Sequence, residues 1–241
     1  MQTKAHATVL NFNGDSNVGL YGLATDKYVL LGKNVGESQA KLIENNLNVK
    51  AFRISVYGTS LVGLFAKGNS STLLLPSIVF ENEISNLINL LKPLGVKVHV
   101  IDTEHTALGN NILMNDSIAI VSPVFSKKLV LELKKLTGLK IIQTNLADSL
   151  VPGSVGVLTN KGAIFGPNIT DAEIRKLEKL LGFEIGLGTV NLGNPFVATG
   201  LFANSFGFVM GSESSGYEIS RVDESLGFLA NRFLKSNKSY I

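Results

Sequence analysis

The stretch ALGNNILMNDSIAIVSP, Ala107–Pro123, places a polar turn around Asp116 between two apolar runs, opens near a glycine and ends on a proline. Apolar runs flanking an Asn, Asp or Ser turn form a β-hairpin, and proline ends the second strand because it has no N–H to give to the ladder. The arrangement returns four more times: GLYGLATDKYVLLG from Gly19, GLFAKGNSSTLLLP from Gly63, GSVGVLTNKGAIFGP from Gly153 and VATGLFANSFGFVMG from Val197. The polar turn residues Thr25, Asn69, Asp116, Asn160 and Asn204 are 44, 47, 44 and 44 positions apart, and Gly32, Pro76, Pro123, Pro167 or Gly211 follows each by seven. Self-similarity at this period marks a repeat architecture.

A helical pattern follows each hairpin. In ENEISNLINLLKPLG, Ile84, Leu87, Ile88 and Leu91 recur at the spacing that gives a helix one buried stripe. Thr170 with Glu173, and Ser215 with Glu218, are capping boxes. Four helices are predicted to stop at Gly95, Gly138, Gly182 and Gly227, and the first, near ESQAKLIENNL, ends on asparagines. A further strand follows each of the first four helices: VKAFRISVYG, VKVHVID, LKIIQT and FEIGLGT. The N-terminal HATVLNF takes the corresponding place ahead of the first hairpin, so it completes the fifth unit and joins the chain's two ends. The fold class is therefore α/β: a closed propeller of five ββαβ blades, residues 1–228 forming one domain and 229–241 a tail. An open solenoid would need polar capping repeats, and neither terminal unit is polar.

Composition narrows the function classes. A chain of 241 residues with 45% hydrophobic residues buries a large core, and no Pro, Ser or Gly run divides it. The net charge is +3, but the lysines are scattered, and SKKLVLELKKLTGLK interleaves them with leucines as a solvated helix face does; DNA is not an expected partner. There is no cysteine, which excludes disulfides, thiolate metal sites and thiol nucleophiles. His6, His99 and His105 form no metal-ligand spacing, GNSSTLL lacks the lysine of a phosphate-binding loop, and Asp102, Glu104 and Asp116 read as solvated turn carboxylates. No metal or cofactor is expected. MQTKAHATVLNFNGD has no signal-peptide core and no apolar run approaches a bilayer's thickness, so the expectation is a cytoplasmic monomer away from membranes.

The repeat, together with SLVGLFAKGN, TALGNNILMNDSIAIVSP, GSVGVLTNKG, GTVNLG and GYEISRVDESLGF, resembles the translation initiation factor 6 family, particularly its archaeal branch, from about Ala5 to Phe228. The resemblance implies a pentein fold with pseudo-fivefold symmetry, and a protein that binds the large ribosomal subunit and keeps the small subunit from joining it. The same fold houses deiminases and amidinotransferases, which attack a guanidinium carbon with a cysteine thiolate. An enzyme of that kind, and an interaction module with another partner, are the alternatives.

In a pseudo-symmetric ring, equivalent positions share one circle. The residues beside the hairpin glycines are Leu20, Leu64, Asn110 and Val155 (one further along), with Phe196 the nearest equivalent in the fifth unit. The resemblance implies that this circle faces the ribosome and that Asn110 is the Asn of the family's ALGN motif. Where some members carry arginine this chain has Leu64, and where some carry tyrosine it has Val155. An apolar circle with one asparagine suits ribosomal protein, while Arg232, Lys235 and Lys238 on the tail are placed to meet the phosphates of neighbouring rRNA.

Overall fold

In the computed structural model, which describes residues 5–229, each repeat is a three-stranded sheet backed by a helix. The first sheet holds β2 (Gly22–Ala24), β3 (Tyr28–Gly32) and β4 (Lys50–Ile54). The second holds β5 (Lys67–Gly68), β6 (Thr72–Pro76) and β7 (Lys97–Ile101). The third holds β8 (Ile112–Met114), β9 (Ile118–Val121) and β10 (Lys140–Gln143). The fourth holds β11 (Gly156–Leu158), β12 (Ala163–Phe165) and β13 (Gly186–Leu187). The fifth pairs β14 (Leu201–Asn204) and β15 (Gly207–Gly211) with the N-terminal β1 (Ala7–Leu10). In every blade the middle strand runs antiparallel to its hairpin partner and parallel to the outer strand. β1 lies in register with β15 from Ala7 opposite Phe208 to Leu10 opposite Gly211. His6 Nε2 lies 2.8 Å from Asp223 Oδ1, and the imidazole stacks on Phe228, which ties this displaced strand to the last helix.

The middle strands, YVLLG, TLLLP, IAIV, AIF and GFVMG, are buried throughout and correspondingly apolar on both faces. The core is divided into packets that lie between consecutive blades. Tyr28 and Leu30 meet Leu73 and Leu87 in one, and Leu113 and Ile120 meet Leu158 and Phe165 in another. Phe202 and Val209 of the last blade pack on Val29, Leu31 and Ile43 of the first, which closes the ring.

The helices Glu37–Leu47, Glu81–Leu91, Lys127–Thr137, Asp171–Leu181 and Gly216–Ser225 cover the rim. The first ends at Asn48 in the left-handed region, a conformation asparagine tolerates; Gly138 and Gly182 serve later helices in the same way. Both capping boxes form, and their glutamates do a second job. Glu218 accepts hydrogen bonds from Ser215 and Gly193 backbone N–H groups and from the Thr189 hydroxyl, holding a loop in which Leu192 has φ +60°. Burial raises the Glu218 pKa, but these hydrogen bonds outweigh it and hold the carboxyl below its ordinary 4.5. A lowered acid pKa stabilises above the unfolded value and loses that contribution as pH falls through the folded one. Glu218→Ala is expected to cost about 2–3 kcal/mol in urea unfolding at pH 7 and markedly less at pH 3.

Two features depart from the sequence reading. Asn115 and Thr159, not Asp116 and Asn160, open the third and fourth hairpin turns: their N–H groups bond to Ile118 and Gly162 carbonyls, as Thr25 does to Tyr28. The true spacings along Thr25, Asn69, Asn115, Thr159 and Asn204 are 44, 46, 44 and 45. Adjacent polar residues in those turns disguise a slip of one. In addition, a short helical turn precedes every hairpin, at Val18–Leu20, Val62–Phe65, Leu108–Asn111, Pro152–Val155 and Val197–Thr199. The five turns stack in sequence around the axis and close on one another. Glycine permits that contact: a Cβ on Gly153 would overlap the Gly109 carbonyl, one on Gly109 that of Gly63, one on Gly63 that of Gly19, and one on Gly19 that of Ala198.

Candidate functional site

Strand direction gives the ring two unlike ends. Inner strands leave the helical turns and run to the hairpins; middle strands return, and helices start where they finish. The turn end therefore gathers the helical turns, the helix N-termini and the loops after the outer strands. The hairpin end gathers the hairpins and the helix C-termini.

At the turn end Leu20, Leu64 and Asn110 occupy equivalent positions, all half-buried, and the circle is completed by Ser154 and Thr199. The sequence reading is corrected at two places. Val155 is 3% exposed and packs with Leu113, Ile120 and Leu158 between blades; the residue beside Gly153 is Ser154, one position earlier. Phe196 caps the fifth turn outside the circle: that unit has Ala198 where the others have glycine, so Thr199 is the equivalent residue. Arg232, Lys235 and Lys238 lie outside the described residues.

The circle surrounds the mouth of an axial cavity of about 60 Å³. The hairpin end is laced across by side chains from all five blades. Asn160 Nδ2 donates to Asp26 Oδ2 at 2.8 Å and Asp116 Oδ2 at 2.7 Å, while the Ser205 and Ser70 hydroxyls donate to the same two carboxylates. Asp116 thus has a structural role there, apart from Asp102 and Glu104 at the turn end.

Around the circle the turn end presents exposed apolar side chains: Tyr57, Phe80 (51% exposed), Leu150 (54%), Leu192 (75%) and Phe196. The Tyr57 and Phe80 rings meet at 5.4 Å. Charge differs between the ends. First helical turns carry Glu37, Glu81, Asp171 and Glu218, and last turns carry Lys134, Lys135 and Lys179, as the helix macrodipole favours. The helix of the third blade breaks the rule by opening with exposed Lys127 and Lys128 and no acid. Sequence reasoning missed Tyr57, Phe80, Leu150 and Leu192. The available signal was the tight turns around them, such as Tyr57-Gly58 and Leu192-Gly193, where apolar residues are held out at φ > 0.

The catalytic inventory is thin. No thiol exists. The His99 Nε2 is buried without a partner among the described residues, and burial, aided by Lys97, holds its pKa below the usual value. Among the described residues no group of three His, Asp or Glu side chains is placed to hold a metal, and no helix is long and apolar enough to cross a membrane.

The chain is 35% identical over 226 residues to translation initiation factor 6 of Pyrococcus horikoshii, covering 93% of this chain and all of that one. It is 32% identical over 219 residues to translation initiation factor 6 of Saccharolobus islandicus, covering 90% and 97%. Similar solved structures include DDAH from Pseudomonas aeruginosa in complex with citrulline (TM-score 0.47, 12% identity, 71% of this chain and 69% of that one). An agmatine deiminase of C. jejuni is similar at TM-score 0.46 and 14% identity, over 71% and 65%. The profile of the eIF-6 family matches residues 7–225, and the chain belongs to that family.

Proposed function

We propose that this protein is a translation initiation factor that acts without catalysis, docking its turn end on the large ribosomal subunit and occupying the space the small subunit needs. The observation that carries the reading is the apolar rim of that one end, where Tyr57, Phe80, Leu150, Leu192 and Phe196 are exposed around the circle. Its relatives bear the name translation initiation factor 6. Steric exclusion requires affinity and no turnover, and a stable interface buries on the order of 1,200–2,000 Å² with a few large anchors.

The charges divide the face. Acidic first turns around the rim suit a basic ribosomal protein, with Leu20, Leu64 and Asn110 at its centre. Lys127 and Lys128, held at the unfavourable end of their helix, suit rRNA phosphates, as do Arg232, Lys235 and Lys238 of the tail. A monomer suffices. The guanidino-modifying alternative lacks its nucleophile, because the chain has no cysteine. Co-sedimentation with separated subunits tests the proposal: the protein is expected to travel with large subunits alone, and binding to small subunits, or to neither, would refute it.

A further inference from the structure

The inner strands of the blades line the axial cavity, and the ladder partners define an equivalent set. Opposite Leu30, Leu74, Ile120, Ile164 and Val209 stand Leu23, Lys67, Leu113, Val157 and Phe202. Four are apolar and one is a cation. Lys67 is half-buried and lines the cavity, and its ammonium has no hydrogen bond or ion pair with any described residue. A positive charge in a confined, partly desolvated space with no counter-charge attracts an anion, and this departure from fivefold repetition points to one.

Two further polar heads line the same cavity without partners among the described residues: the Asn110 side-chain amide and the hydroxyl of Ser154, which is buried. Lys67, Asn110 and Ser154 come from the second, third and fourth blades, and all can donate. Among the described residues no other ionisable side chain lines the cavity. Asp26 and Asp116 sit at the far, hairpin end, engaged with Asn160 and the serines, and the Tyr28 hydroxyl lies behind Gly68. A volume of about 60 Å³ holds roughly four or five waters.

We propose that the axial cavity is a binding site for one small oxyanion of formate or bicarbonate size, held by Lys67 Nζ, Asn110 Nδ2 and Ser154 Oγ. The proposal does not rest on ribosome docking, although Asn110 belongs to both the site and the docking face. Burial lowers the Lys67 pKa to about 8, so at pH 7 the free site carries its positive charge and is ready for an anion. A bound anion favours the ammonium and moves its titration upward.

The full chain is titrated with sodium formate at pH 7, with sodium pivalate, too bulky for the cavity, at equal ionic strength as control. Formate is expected to raise the Tm by a few degrees along a saturating curve and pivalate to leave it unchanged. Lys67→Leu, which restores the apolar consensus of the other blades, should lose the formate response, and Asn110→Ala should weaken it several-fold. NMR of labelled lysine in the wild-type chain reads the same site without a variant: formate should move the Lys67 Nζ midpoint up by half a pH unit or more. Equal responses to formate and pivalate, an unchanged response in Lys67→Leu, or a midpoint that formate does not move would each overturn the proposal and leave the cavity to water.

Discussion

Gly109→Ala should lower the free energy of unfolding by at least about 3 kcal/mol, measured by urea denaturation followed by circular dichroism. The added Cβ would overlap the carbonyl oxygen of Gly63, which is backbone and has no rotamer to change. Relief requires one helical turn to move away from its neighbour. Each turn in the stack is held on both sides by another, so a shift at blade three is resisted by blades two and four. The displaced segments also carry β8 and β11, whose blades share the Leu113, Ile120 and Leu158 packet. Gly138→Ala supplies the contrast. Gly138 has φ +70° and open space around its Cβ position, so alanine there meets a backbone preference only and should cost about 1 kcal/mol. Equal effects would mean that the stacked turns do not constrain the ring.

The second large effect concerns binding. Phe80→Glu combined with Phe196→Glu is expected to weaken attachment to the large subunit by 100-fold or more, about 3 kcal/mol, as loss of aromatic anchors does. Both side chains are about half exposed and lie outside the buried core, so the Tm should stay within about two degrees of wild type. Lys127→Glu with Lys128→Glu separates function from stability by sign. Acids at a helix N-terminus are favourable where lysines are not, so the free protein should gain up to about 1 kcal/mol. Binding should nevertheless weaken, and the slope of log affinity against log salt should become shallower. A double lysine variant with unchanged affinity and slope would remove RNA from that sector of the interface.

The ring was legible because periodicity survives local error. Turn residues, caps and terminal glycines recur at nearly constant spacing, and HATVLNF had one vacant place to fill, now seen as β1 on β15. Single positions within the repeat were less secure. Asn115 and Asp116, like Thr159 and Asn160, are both good turn residues, and choosing the second of each shifted two hairpin turns by one; Val155 is a separate step past Ser154, the residue beside Gly153, and is buried between blades. The fifth blade lost its landmark because Ala198 replaces the glycine, which is how Phe196 took the place of Thr199. The exposed rim was hidden for another reason. Leu150, Leu192 and Phe80 are core residues by type, and only their position at element ends, beside loops held by Glu83, Glu173 and Glu218, turns them outward. Lys67 became conspicuous only once the ladder registers aligned it with Leu23, Leu113, Val157 and Phe202.

Subunit joining in a density gradient tests the central claim most directly. Large subunits are incubated with the protein, small subunits are added under conditions that favour joining, and the particles are separated. The account predicts that joined ribosomes fall as protein approaches one equivalent per large subunit, with the protein in the large-subunit peak. Undiminished joining while the protein remains bound to large subunits, or its appearance in the joined peak, would contradict it.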